Sequence, residues 1–158
     1  MPYFLSIILV KDVEGLKTSK EFCDYCFKHN FNENLSKNKL LKYFNLIERN
    51  LTNEDDVLIT FVGYNYYPSS FKTKGPYVYA VTDSRILLAR KKTFSEFFIG
   101  LNFDSLGYTS LNREILSIDT LNERLNIKFF KNSSKQIYDE VYSIFSDFIS
   151  DALEIEAI

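Results

Sequence analysis

The 158-residue sequence predicts one α+β domain, in which two N-terminal helices precede about seven short antiparallel strands and one C-terminal helix. Three observations support this fold class. Apolar residues make up 46% of the chain, enough for a core that needs no disulfide or metal. Aromatic residues make up 16%, and all are Phe or Tyr, which favour pleated, half-buried surfaces. Near residue 56 the apolar spacing changes from helical to strand-like.

Two short helices are predicted in the first 50 residues. Thr18 and Glu21 have capping-box spacing and predict a helix over about 18–29. Ser36 precedes apolar residues at helical spacing, which predicts a second helix over about 37–50. We expect residues 1–52 to be a helical extension that packs on the domain as an extra core layer. Any apolar face that this packing leaves open would bind a partner or a second copy.

The apolar run from Tyr3 to Val10 precedes these helices. It is far shorter than the roughly 20 residues of a membrane span, no Lys or Arg precedes it, and no small-residue cleavage site follows it. We interpret it as a core strand or short helix of a cytoplasmic protein. The low cysteine count of two also indicates a reducing compartment.

Seven strands are predicted between residues 56 and 130, separated by turn residues. Asp83 and Ser84 fit a two-residue hairpin turn, because Asp tolerates left-handed conformations and Ser caps locally. Gly100 inside the fourth strand indicates a bulge or bend. The predicted strand segments are VLITFVGYNYY, YVYAVT, RILLAR, FFIGLNFDSL, GYTSLN, EILSIDTL and RLNIKFF.

The last element is an amphipathic helix. Ser133 and Gln136 form a predicted capping box, and apolar residues recur on one face over about 134–152. We therefore assign residues 53–152 to the sheet-and-helix domain and residues 153–158 to a C-terminal tail.

Three segments of this pattern resemble the bacterial pleckstrin-homology (PH)-like domains, and within them the YokE-like group. These are EDDVLITFVG, YVYAVTDSRILLARKK and LNFDSL, within a resembling region of about residues 53–150. The resemblance implies a strongly bent, seven-stranded antiparallel sheet or split barrel capped by the C-terminal helix. It implies little chemistry, because many such domains have no established activity and a fold does not fix a function.

Catalysis finds little support in the sequence. His29 is the only histidine, and no activated nucleophile is suggested near it. The acidic cluster Glu54-Asp55-Asp56 lies where a helix gives way to a strand and is interpreted as a solvated turn. Arg85 is expected to pair with a nearby carboxylate such as Asp83 or to stack on an aromatic ring. The net charge of −2 argues against a nonspecific nucleic-acid partner.

Cys23, Cys26 and His29 have C-x2-C-x2-H spacing on one predicted helix face. A structural zinc needs four ligands, and the chain has no other Cys or His. Buried thiols in a packing face are the simpler interpretation, and a dimer-bridging metal is the alternative. We expect no metal and no cofactor.

The best candidate site is electrostatic. Lys72 and Lys74 lie on a predicted loop between the first two strands, and Arg90, Lys91 and Lys92 follow the third strand. In a PH-like fold these two loops lie at the same open end, where five cations would meet an anionic headgroup or an acidic protein surface. The alternative is a solvated edge whose lysines discourage aggregation.

Together these observations predict a non-enzymatic module that acts through protein contacts, with self-association into a homo-oligomer as the leading hypothesis. Weak binding of an anionic membrane or acidic ligand through the basic loops is the alternative.

Overall fold

The computed structural model describes residues 15–66, 75–111, 114–119, 124–129, 134–148 and 153–155. The expectations for Tyr3–Val10 and for the capping residue Ser133 lie outside these residues. The helices are α1 (Ser19–His29), α2 (Lys37–Glu48) and α3 (Ser134–Phe148). The strands are β1 (Val57–Tyr66), β2 (Gly75–Thr82), β3 (Arg85–Lys92), β4 (Ser95–Asn102), β5 (Thr109–Leu111), β6 (Ile115–Asp119), β7 (Arg124–Phe129) and β8 (Leu153–Ile155).

Side-chain hydrogen bonds cap the N-termini of the first two helices, at the residues that the sequence predicted. The capping box at α1 is complete, because the Thr18 hydroxyl accepts from the Glu21 N–H and the Glu21 carboxylate accepts from the Thr18 N–H. The Ser36 side chain accepts from the Lys39 N–H at the start of α2. Asn30 ends α1 in the left-handed conformation, with φ of 57°.

One sheet of eight strands organises the domain, in the order β4-β3-β2-β1-β7-β6-β5-β8. Strands β1 to β4 form an antiparallel meander, and β7 of the second meander pairs with β1. The predicted PH-like fold of seven antiparallel strands with a C-terminal helix is confirmed. The structure adds β8, within the predicted tail, as a short strand parallel to β5.

Both faces of the central strands are covered. On one face, the Thr60 hydroxyl of β1 donates to the Phe22 carbonyl of α1 at 2.8 Å. On the other face, the Phe61 ring stacks on Tyr79 and meets Phe129 edge-on. Helices α1 and α2 therefore form a second layer on the sheet, and their buried side chains join the same core as the sheet. Two covered faces explain why β2 and β3 have nearly continuous apolar sequences.

The segments next to α1 also bind the backbone of β1 where β7 does not reach. The Phe31 carbonyl accepts from the Val62 N–H at 3.0 Å, and the Leu16 N–H donates to the Val57 carbonyl at 2.8 Å. Strand β7 pairs with β1 only from Gly63 onward. The extension therefore satisfies backbone groups that a split sheet leaves open.

Three local expectations were wrong in their details. Gly100 causes no bulge, because it stays in register opposite Leu87 in the β3–β4 pairing. The Asp83-Ser84 turn has no left-handed residue and is held by the Thr82 hydroxyl, which accepts from the N–H groups of Ser84 and Arg85. Arg85 pairs with Asp55, which is buried and not part of a solvated turn.

Candidate anion-binding site

The five predicted cations do not form one loop cluster in the described structure. Lys72 and Lys74 lie outside the described residues. Arg90 and the two lysines after it belong to β3 and do not follow it, because pairing with β4 continues to Lys92 and Ser95. The half-buried Arg90 guanidinium lies 5.8 Å from the Tyr77 ring centre. We infer that Arg90 mainly packs the sheet.

The end of β3 meets α2 instead, across a cleft of about 370 Å³. Four lysines, one tyrosine and one threonine line this space, and no acidic residue is among its described lining residues. We call it the lysine cleft. Its lining residues are Lys39, Lys42, Tyr43, Lys91, Lys92 and Thr93.

Helical spacing explains the contribution of α2 to the lysine cleft. Lys39, Lys42 and Tyr43 are separated by three and four positions, so they occupy one face of the helix. The lysines are exposed, whereas the Tyr43 side chain is only 5% exposed. Within the described residues, no protein group hydrogen-bonds the Tyr43 hydroxyl. The Tyr43 hydroxyl is not one of the buried polar atoms that lack a partner, so it reaches solvent at the cleft.

Glu96 forms an ion pair with one lysine of the cleft. Its carboxylate accepts from Arg49 at 3.0 Å and lies 3.7 Å from the Lys91 ammonium. This bridge ties the β3–β4 hairpin to the C-terminal end of α2. Lys39, Lys42 and Lys92 form no ion pair with the described residues, so the cleft keeps a net positive charge.

Phe94, which follows the lining residue Thr93 in the sequence, is apolar and fully exposed. Thr93 and Phe94 form the two-residue turn between β3 and β4, and Phe94 is 98% exposed. Turn positions are normally polar, and this ring packs against nothing in the described structure. We call residues 91–94 the hairpin tip. It joins two cations to an aromatic ring.

Only half of the lysine cleft was predicted from the sequence. Lys91 and Lys92 were among the predicted cations, whereas Lys39, Lys42 and Tyr43 of α2 were not. Their i, i+3, i+4 spacing was a visible signal, yet lysines on a polar helix face are usually solvated. Only the packing of α2 on the sheet brings them beside β3.

The Cys-Cys-His motif forms part of the core. Both thiols are fully buried, and the Cys26 sulfur lies 3.4 Å from the Thr60 hydroxyl. Burial raises the pKa of the Cys26 thiol to about 12 and also raises the pKa of the Cys23 thiol. The His29 ring packs on Tyr25 and Phe31. The described residues contain no cluster of three or more metal-binding side chains.

The family model for the bacterial PH domain matches residues 51–143, which is more than half of the chain. The chain belongs to this family. The family match begins after α2, so the helical extension of this bacterial PH domain lies outside the matched segment. The narrower YokE-like assignment stays a prediction.

Several solved structures are similar to this bacterial PH domain at low identity. An autoinhibited Vav1 structure has a TM-score of 0.46 and 10% identity, and the match covers 73% of this chain and 24% of that one. The chain thus spans about a quarter of the Vav1 length. The N-terminal PH domain of human ARAP2 has a TM-score of 0.44 and 10% identity over 63% of this chain and 87% of that one. The hSac2 domain of the human phosphoinositide phosphatase Sac2 has a TM-score of 0.46 and 8% identity over 73% and 90%.

No curated protein matches the sequence. Within the described part of the chain, no helix is long and apolar enough to cross a bilayer.

Proposed function

We propose that this bacterial PH domain is a non-catalytic module that docks reversibly on an anionic membrane surface through its hairpin tip. The observation that supports the proposal is the position of the fully exposed Phe94 ring beside Lys91 and Lys92. A ring in the membrane interface and cations at the headgroup level are a common combination in peripheral proteins.

The expected binding is weak and salt-sensitive. Each lysine near an anionic membrane contributes about 1 kcal/mol, and burial of a Phe ring contributes about 2 kcal/mol. The four lysines of the cleft and Phe94 therefore supply about 6 kcal/mol, which corresponds to a Kd of tens of micromolar. Lys72 and Lys74 stay predicted contributors.

Vesicle sedimentation tests the proposal. Vesicles of phosphatidylcholine alone would be compared with vesicles that also contain phosphatidylserine, at ionic strengths of about 0.01 M and about 1 M, where the Debye length falls from about 30 Å to about 3 Å. We expect binding only to the anionic vesicles and only at low salt. Equal binding to both vesicles, or no binding at low salt, would sink the proposal.

Two variants locate the contact. The double variant Lys91→Ala/Lys92→Ala and the single variant Phe94→Ser should each weaken vesicle binding by about 30-fold, because each removes about 2 kcal/mol. The matched control is Lys20→Ala/Lys135→Ala, which removes the same charge from exposed lysines of α1 and α3. The control should bind nearly as well as the wild type. Equal losses in the control would mean that only net charge matters.

Self-association is a second candidate, because β4 is an edge of the sheet among the described residues. Its middle residues Phe97, Phe98 and Ile99 are only half-buried. A second copy that pairs along β4 would cover this edge. Light scattering should then give a discrete oligomer that Ile99→Lys dissociates. A monomeric mass at high concentration would rule this candidate out.

A further inference from the structure

We propose that two copies of the chain dimerise by antiparallel pairing of β4 with β4, around a two-fold axis at Ile99. The inference rests on self-association, the second candidate of the proposed function, and specifies its symmetry and register. It is independent of membrane docking, because the hairpin tip ends at Phe94 and the paired strand begins after it.

The backbone of β4 determines which of its residues can pair with a further strand. The Phe103 N–H donates to the Ser84 carbonyl at 2.8 Å, and the two residues continue the β3–β4 register, so they form a hydrogen-bonded pair. Such pairs alternate along an antiparallel ladder, so the odd-numbered residues of β4 also bond to β3. The backbone groups of the intervening residues point towards the open edge. These residues are Glu96, Phe98, Gly100 and Asn102.

A two-fold axis at Ile99 pairs all of these outward-facing residues. Glu96 then lies opposite the partner's Asn102, and Phe98 lies opposite the partner's Gly100. An axis at Phe98 would leave Asn102 beyond the end of the partner's β4, and an axis at Gly100 would do the same to Glu96. An axis between two residues would place outward-facing groups opposite groups that already bond to β3. The register at Ile99 therefore satisfies the most backbone groups.

The side chains of β4 suit this register. A Cβ at Gly100 would lie 3.3 Å from Leu87 Cδ2 and 3.6 Å from Phe98 Cε2, so the glycine leaves a small gap between apolar side chains. The partner's Phe98 would lie directly opposite this gap, and an aromatic ring across from an edge glycine is a stabilising arrangement. On the other face, half-buried apolar side chains would meet those of the partner. They belong to Phe97, Ile99 and Leu101.

The composition of β4 is that of a strand to be paired. Among the described strands, β4 pairs only with β3, and Gly100 is exposed. Open edges are commonly protected by lysine or proline, and Ser95–Asn102 contains neither. The charged residue of β4 is Glu96, which Arg49 and Lys91 already engage. Because the outward-facing residues complement themselves, we infer a second copy as the occupant and not a segment of another protein.

Cysteine cross-linking of the full chain with oxidised glutathione tests the register. Directly opposite residues at the axis have Cα atoms about 4.5 Å apart, which a disulfide can span. Ile99→Cys should therefore give a disulfide-linked dimer. Phe97→Cys alone should not, because its two copies are about 14 Å apart along the strand, whereas a mixture of Phe97→Cys and Leu101→Cys should. The native thiols are buried. Stronger cross-linking at Phe98→Cys or Gly100→Cys would overturn the register.

Asn102→Pro tests the outward-facing backbone and leaves the pairing with β3 intact. Asn102 has a φ of −69°, which proline adopts, and its N–H faces the open edge. The variant removes one hydrogen bond on each side of the axis, so association should weaken by about 30-fold. Asn102→Ala keeps the N–H and is the matched control, which should associate like the wild type. Sedimentation equilibrium measures both variants, and equal dissociation constants would contradict the inference.

The outcomes separate this inference from the proposed function. A protein that is monomeric at high concentration yet sediments with anionic vesicles would overturn the inference, leave membrane docking in place and leave the β4 edge to an extended segment of another protein. A dimer that does not cross-link through Ile99→Cys would support self-association through another surface and overturn the β4 pairing. A dimer that cross-links there and ignores vesicles would support the inference and reject membrane docking.

Discussion

Arg85 and Asp55 form a bidentate ion pair that joins the start of β3 to the loop between α2 and β1. The Arg85 Nε donates to Asp55 Oδ1 at 3.2 Å, and its Nη2 donates to Asp55 Oδ2 at 2.6 Å. The exposed side-chain fractions are only 18% and 6%. Nη2 also donates to the Asn50 carbonyl, and Asp55 accepts from the Thr52 N–H. The pair thus connects the helical extension to the sheet.

Removing one partner of this pair should destabilise the fold strongly. Asp55→Ala leaves the largely buried Arg85 guanidinium without its counter-charge, and loss of one partner of a buried pair typically costs about 3–5 kcal/mol. The neighbouring Asp56 provides the control, since its ion pair with Lys17 is about two-fifths exposed. Asp56→Ala should cost less than about 1 kcal/mol. Urea unfolding of both variants measures the difference, and equal costs would contradict the assignment.

The same pair should make stability depend on pH. Burial alone would raise the pKa of Asp55, but hydrogen bonds from Arg85 and Thr52 outweigh it and hold the pKa below its usual value of 3.8. The unfolded chain therefore binds more protons at acidic pH. The contribution of Asp55 is complete well above pH 3.8 and is lost as the pH falls through the lower folded value.

The check is a set of urea unfolding curves between about pH 6 and pH 2. The wild type should lose more stability in acid than Asp55→Asn, with an extra slope of at most about 1.4 kcal/mol per pH unit. Parallel curves for the two proteins would mean that Asp55 keeps its ordinary pKa when folded.

Structural features that depend on residues close together in the chain could be predicted from the sequence. The capping box of Thr18 and Glu21 needs contacts only three positions apart, so its residue types were sufficient. The position of the hairpin turn at Asp83-Ser84 was also predicted, although the Thr82 hydroxyl is what holds it. Partners across the fold were not predictable in this way. Arg85 pairs with Asp55, 30 positions away, whereas the expected partner was a neighbouring carboxylate such as Asp83 or an aromatic ring.

In the candidate site, too, residues next to a recognisable strand could be predicted, and residues brought there by tertiary packing could not. Lys91 and Lys92 could be identified because they adjoin a recognisable strand, whereas Lys39 and Tyr43 become relevant only after α2 packs on the sheet. Helix α2 packs against α1 and the sheet, and α1 is in turn bound to β1 by the buried Thr60 hydroxyl, which donates to the Phe22 carbonyl. A polar residue in an apolar strand was the signal that something polar lay opposite.

Gly63 should tolerate no side chain, because β1 passes close to its neighbours there. A Cβ at this position would lie 2.9 Å from Tyr79 Cε1 and 3.2 Å from Ile127 Cγ2. Gly63→Ala should therefore lower the free energy of unfolding by about 1–3 kcal/mol through overpacking. Gly100→Ala is the matched control on exposed β4, where the nearest atom is the flexible Leu87 Cδ2 at 3.3 Å. It should change stability by less than about 0.5 kcal/mol, and thermal unfolding distinguishes the two.

The two thiols should be inert in the folded protein, because both are buried and their deprotonation is disfavoured. A rise in the pKa of Cys26 from 9.0 to about 12 lowers its thiolate fraction about 1,000-fold at neutral pH, and only the thiolate is nucleophilic. The Thr60 hydroxyl donates to Phe22, so it remains an acceptor for the Cys26 S–H. Alkylation by iodoacetamide should therefore proceed only as fast as the protein opens, and urea should expose both thiols. Prompt alkylation of the native protein, or a rise in its melting temperature with added zinc, would instead indicate a reactive or metal-binding site on α1.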